Sequence, residues 1–234
     1  MGPKEPDLPL EVIGIALSQP SSDNTAIRPK KGPTVSTLFR TMTTLLAAII
    51  LSACSVVKDA ENDRAKEAYR AGDYQSALAT WSRLAEKGDA RAQNNMGVLY
   101  SEGHGVERDD DVALEWFQKS AAQGFVLAQA NLGESYFVGD IVPQDYGQAA
   151  YWYALSAGGG DSESQFFMGK MLADGLGMPR DPARAHMWYS IAALNGYEDA
   201  NAALEDLETT MSQQELIRAE ALLSVCMGSG LTAC

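Results

Sequence analysis

Residues 90–125 read ARAQNNMGVLYSEGHGVERDDDVALEWFQKSAAQGF, and the pattern returns twice more at intervals of 36 residues. Gly97, Gly133 and Gly169 form one column, and Trp116, Trp152 and Trp188 a second. Gly103, Gly139 and Gly175 keep the same interval, as do Asp109, Asp145 and Asp181; Ala113, Ala149 and Ala185; and Gly124, Gly160 and Gly196. Asp73, Ala77, Ala85 and Gly88 carry the register one unit upstream. Columns held in step without a gap identify a structural repeat, because each unit must place the same side chains against its neighbour.

Within a unit the apolar spacing is helical. Ala92, Met96, Gly97 and Tyr100 fall on one face of a first helix. Gly103 ends it, since glycine tolerates the left-handed conformation at a helix C-terminus. Asp109 stands where a carboxylate can accept the free amides at the start of a second helix, and Asp181-Pro182 repeats that signal with proline at the first helical position. Gly97 and its counterparts would let neighbouring helices approach closely, with Tyr100 and Tyr136 packed across the contact. The Trp116 column reads as packing, not as a ligand cage. A last helix is expected from Ser212, where Ser212-Gln213-Gln214-Glu215 has the spacing of a capping box. Its Leu216, Ala219 and Leu223 would cover the open end, with Arg218 and Glu220 towards solvent.

The string Ala92-Gln93, Met96-Gly97, Tyr100, Gly103-His104-Gly105-Val106, Asp109, Ala113, Trp116-Phe117, Ala121-Ala122, Gly124 resembles the Sel-one-like repeat, a relative of the tetratricopeptide repeat. The unit at Ala68 to Leu78 is closer to a plain tetratricopeptide. Ile141 in place of the second turn glycine and Leu172 in place of the tyrosine are local departures. The resemblance implies an all-α, right-handed solenoid of about four helical pairs over residues 63–200 (63–89, 90–125, 126–161 and 162–197), closed by a cap helix and tail at 201–234. It also implies that the first helices line a concave groove for a protein or peptide partner. By register the groove positions are Arg91, Asn94, Val98 and Glu102; Leu127, Ala130, Glu134 and Phe137; and Glu163, Phe166, Lys170 and Asp174. Phe137 and Phe166 are the expected anchors, because aromatic side chains in a groove contribute disproportionately to binding.

Composition narrows the function. The chain has 234 residues, 46% hydrophobic and 21% charged, as in a folded globular protein. Its net charge of −13 offers no basic stripe to displace counterions from nucleic acid, so no nucleic-acid partner is expected. That charge favours a basic partner segment or a cationic ligand associated with the cell wall. Two histidines, His104 and His186, lack a Cys or His at metal-ligand spacing, and Asp109-Asp110-Asp111 lacks the alternating ligands of a calcium loop. No metal, cofactor or catalytic set is expected. Some cysteine-rich relatives are linked to β-lactams through a cysteine pair inside each repeat, and this chain has no cysteine between Cys54 and Cys226. A periplasmic enzyme or binder of the β-lactam or peptidoglycan class is the alternative.

The N-terminal segment differs in character. Residues 1–53 carry a net charge of +1 and the following 181 residues −14. Basic Lys30, Lys31 and Arg40 precede an apolar core from Leu45 to Leu51, the order of a secretory signal. Leu51-Ser52-Ala53-Cys54 resembles a bacterial lipobox, which implies a lipid anchor on Cys54 and a place in the cell envelope facing the periplasm. Ser55 after the cysteine implies the outer membrane. Residues 35–53 are thus expected as a lipoprotein signal and 54–62 as a tether, with an uncleaved membrane anchor as the alternative. Residues 1–34 read as a disordered leader or as lying upstream of a true start near Val35. Cys226 and Cys234 remain, an even number in an oxidising compartment, and Gly228 and Gly230 between them would let a short disulfide loop close. Two free thiols are the alternative.

Overall fold

The computed structural model describes residues 57–232 and residue 234. Ten helices and no strand occur among them. They are α1 over residues 57–70, α2 (Tyr74–Glu86), α3 (Ala90–Glu102), α4 (Asp110–Ala121), α5 (Val126–Val138), α6 (Tyr146–Gly158), α7 (Ser162–Asp174), α8 (Pro182–Leu194), α9 (Ala200–Glu208) and α10 (Gln213–Gly228). Packing runs along the chain: each helix from α2 to α8 meets the next, and α8 also meets α10. Contacts restricted to neighbours are those of a solenoid of helical hairpins, in which no unit can bury its apolar face alone.

The aspartate column caps the second helices. The side chains of Asp109, Asp145 and Asp181 accept the backbone N–H of Val112, Gln148 and Arg184 at 3.0, 3.0 and 3.2 Å. Gly103, Gly139 and Gly175 close the first helices at φ of 69°, 82° and 73°. Only glycine enters that region without a Cβ penalty. Ile141, at a turn position held elsewhere by glycine, avoids positive φ; its N–H instead donates to the Asp140 side chain at 2.8 Å.

The glycine column makes a close contact in each of the three hairpins, though not with the tyrosines expected. A Cβ added at Gly97, Gly133 or Gly169 would lie 2.6 Å from the ring of Phe117, Tyr153 or Tyr189 respectively. These rings come from the second helix of the same unit, one residue after the tryptophan column. Trp188 is buried, whereas Trp116 and Trp152 are half-buried. Adjacent units are joined by a column of buried glutamines: Gln93, Gln129 and Gln165 donate to the carbonyls of Ala85, Ala121 and Ala157 on the preceding helix. A buried amide needs such partners, so this contact fixes the rotation of one unit on the next.

The ends differ from expectation. Residues 57–62, expected within a tether, are helical and open the first hairpin. At the other end two helices, α9 and α10, stand in place of a single cap helix and both pack on α8; Ala200 continues the Ala92 and Ala128 column. Ser212 and Glu215 make the reciprocal capping box, and Ala219 is buried on α8. Arg218 does not simply face solvent: its guanidinium donates to both oxygens of Asp181 at 3.0 and 2.8 Å. Cys226 and Cys234 are bonded, and the Arg184 guanidinium donates to the Cys234 carbonyl at 3.2 Å, so the tail is held against α8. Cys54 and the signal segment 35–53 lie outside the described residues. Among those described, no helix is long and apolar enough to cross a membrane.

Candidate binding groove

A groove of 690 Å³ opens between α1, α3 and the turn that leads into α5. Asn62, Asp63, Lys66, Tyr69 and Arg70 line it from α1, on one helical face; Arg91, Asn95 and Val98 line it from α3. Phe125, Val126 and Leu127 form the third side, with Trp81 of α2 at the base of the first hairpin. Leu127 is 52% exposed.

Three of the groove residues read from sequence, Arg91, Val98 and Leu127, therefore come together here. Others are engaged elsewhere. Phe137 and Phe166 are not free anchors: both are half-buried against the C-terminal core. Phe137 meets Tyr153 and Phe167 edge-on, and Phe166 packs on Tyr189 and Tyr197. Aromatic rings at these positions are drawn into the seam between neighbouring hairpins, where they lose more water than they would in an open groove. Asn94 is buried, and its side-chain oxygen accepts from Asn131 at 2.9 Å. Glu102 accepts the Tyr69 hydroxyl and lies 2.8 Å from His104 Nδ1, while His104 stacks on Tyr74 at 4.2 Å. Burial, with Glu102 as hydrogen-bond partner, pushes the Tyr69 phenol well above its usual range. Lys170 and Asp174 pair with each other at 3.0 Å along α7.

Glu134 lines a smaller pocket of 230 Å³ with Val98, Glu102 and Asp140. Desolvation raises its carboxyl above the ordinary value, and Glu163 and Asp140 add to the effect. Ala130 is half-buried and Glu163 exposed. The first-helix face thus changes sign along the stack: Arg91, Leu127 and Glu163 occupy one register position, and Lys66, Glu102 and Asp174 another. The acidic net charge of the chain does not describe the first groove. Its lining holds Lys66, Arg70 and Arg91 against the single carboxylate of Asp63.

The α1 residues fall outside the groove positions read from sequence, which begin at Arg91. Counting 36 residues back from Val98 and Glu102 reaches Asn62 and Lys66, so the signal was present. The groove offers cations, amides, rings and aliphatic side chains, a lining suited to binding an extended chain.

Comparison with known proteins bears on this geometry. The Sel1 repeat matches residues 90–125, 126–161 and 162–197, the three units whose glycines meet rings. The chain carries three Sel1 repeats. A crystal structure of a Sel1 repeat protein from Oxalobacter formigenes is similar, with 28% identity and a TM-score of 0.61, covering 73% of this chain and 78% of that one. So is c5321, a protective antigen present in uropathogenic Escherichia coli strains that displays an SLR fold. It shares 29% identity at a TM-score of 0.61 over 77% of this chain, which spans only 43% of its length. No curated protein matches. The Sel1-repeat assignment makes the chain an all-α helical scaffold of the kind generally used for protein–protein contact, and the groove lies on its first-helix face.

Proposed function

We propose that this Sel1-repeat protein is a lipid-anchored scaffold of the bacterial cell envelope that binds a protein or peptide partner across α1, α3 and the start of α5. The groove carries this reading. Its 690 Å³ exceeds what one side chain fills, and its apolar wall with a polar rim matches the composition of sites that accept a chain segment. The role proposed for this lining is binding, so the reading is non-enzymatic.

The anchor rests on the sequence Leu51-Ser52-Ala53-Cys54. With Ser55 next, the proposed site is the outer membrane, facing the periplasm. Residues 35–53 serve as signal, and residues 1–34 are a leader or lie before the true start. Val57, the first described residue of α1, follows Cys54 by three positions in sequence, so lipidation would hold the groove close to the bilayer. One acyl chain binds a membrane marginally, whereas the two or three of a mature lipoprotein anchor stably.

Two measurements test the reading. Radioactive palmitate should label the wild-type chain and not Cys54→Ala; equal labelling of both would refute the anchor. A photoreactive residue at Leu127 should capture a discrete partner in intact cells, whereas one at exposed Tyr151 should not. Capture from Tyr151 alone, or the same products from both positions, would refute the groove.

A further inference from the structure

We infer that the segment seated in this groove is acidic, with apolar side chains between its carboxylates, although the Sel1-repeat protein is itself strongly acidic. The inference rests on the groove reading above and adds the chemistry of the partner. Lys66 and Arg70 lie one turn apart on α1, both exposed and without a charged partner among the described residues. Arg91 faces them from α3. It reaches only Asp59 and Asp63, at 3.7 and 3.6 Å, beyond ordinary hydrogen-bond length. An incoming carboxylate can improve on those contacts, especially with the bidentate guanidinium of Arg70 or Arg91.

A second observation is independent of charge. Five buried side-chain polar atoms lack a hydrogen-bond partner among the described residues, and two of them, Asn62 Oδ1 and Trp81 Nε1, belong to residues that line this groove. Asn62 and Trp81 are 2% and 3% exposed. Such atoms are uncommon in folded proteins, because each forfeits the hydrogen bonds it made in water. One is an acceptor and the other a donor; each atom is covered in the free chain, and a turn of its side chain into the groove would let it meet a peptide N–H or C=O. Leu127, Val98 and the Trp81 ring then offer the wall for an apolar side chain. Complementary charge at the rim sets which segment docks and how fast, more than it sets total affinity.

The test uses the full mature chain and three sets of fluorescein-labelled peptides of one length. In these sets Leu and Phe alternate with Asp/Glu, with Lys/Arg, or with Ser/Gln, and binding is read by anisotropy. The acidic set should bind best and weaken as salt is raised. Lys66→Glu with Arg70→Glu, both on the exposed face of α1, should weaken it roughly tenfold while leaving the helical spectrum unchanged. Trp81→Phe, which keeps a ring but removes the N–H, should weaken it about fivefold without changing the salt dependence. Equal or better binding of the basic or uncharged set, no binding by any set, or indifference to charge reversal would overturn the inference. So would charge-dependent binding to phosphatidylglycerol vesicles that the acidic peptides fail to compete, since the cations would then serve lipid. Capture at Leu127 in cells combined with any of these results would leave the groove standing and remove only the acidic partner.

Discussion

Alanine at two helical glycines should shift stability in opposite directions. Gly133 lies inside α5, and a Cβ there would come within 2.6, 2.8 and 2.9 Å of three carbons of the Tyr153 ring. That ring is 2% exposed and stacked on Phe167 at 5.1 Å, with Phe137 edge-on, so it has little room to withdraw. Overpacking of this kind costs about 1–3 kcal/mol, and the tight contact places it towards the upper end. Replacing glycine by alanine in a helix returns about 1 kcal/mol. The net expectation for Gly133→Ala is therefore a loss of about 1–2 kcal/mol, or a melting point lower by roughly 2–8 °C for a chain of this size. Gly158, at the end of α6, has nothing within 4 Å of the same added atom. Gly158→Ala should gain up to about 1 kcal/mol. Thermal and urea unfolding of the purified, unlipidated chain by circular dichroism compares the two. In a Tyr153→Ala background the Gly133→Ala penalty should vanish or reverse, since its cause has been removed. If Gly133→Ala stabilises as Gly158→Ala does, or if its cost persists without the ring, the glycine–ring contact is not what sets the hairpin spacing.

Removing a cap should be milder: Asp145→Ala releases two amides, those of Gly147 and Gln148, and should cost about 1 kcal/mol by urea midpoint. Burial works against ionisation of Asp181, but the Arg184 N–H and the Arg218 guanidinium outweigh it and hold the carboxyl below the usual value. A depressed carboxyl contributes stability above the unfolded value of about 4 and loses it as pH falls through the lower folded value. The urea midpoint should therefore fall below about pH 4, and Arg218→Met should flatten part of that fall; an unchanged profile would place the pair outside the folding equilibrium. Alkylation before and after reduction should modify Cys226 and Cys234 only after reduction. In the chain-entropy picture, reduction should also cost about 2–3 kcal/mol of local stability for so short a loop, read as faster hydrogen exchange in α10.

The fold was legible because packing in a solenoid is periodic. Asp109 and Gly103 have one role each, dictated by backbone chemistry, and every unit repeats it. The ring that meets each glycine was harder to read. Tyr100 and Tyr136 follow the glycines on the same helix face and so drew the expectation, whereas the ring comes from the second helix, where helical phase decides which of the adjacent Trp116 and Phe117 meets the glycine. The glutamine column at 93, 129 and 165 was visible, yet its role depends on a carbonyl eight residues earlier, across a turn. The groove was only partly legible for a related reason. Register finds positions on a face but does not say which side chains fold back: Phe137 turns into the seam, Glu102 is taken by Tyr69 and His104, and Arg91 remains available. Net charge says least about the groove. A sum over the whole chain hides a face whose sign changes from Arg91 to Glu163.

Hydrogen–deuterium exchange on the mature chain, alone and with the partner captured at Leu127, tests the central claim most directly. Protection should rise in α1, α3 and the first turn of α5, with α6 and α8 unchanged. Protection confined to α4, α6, α9 or α10, or no change anywhere, would mean that the groove is not where this scaffold binds.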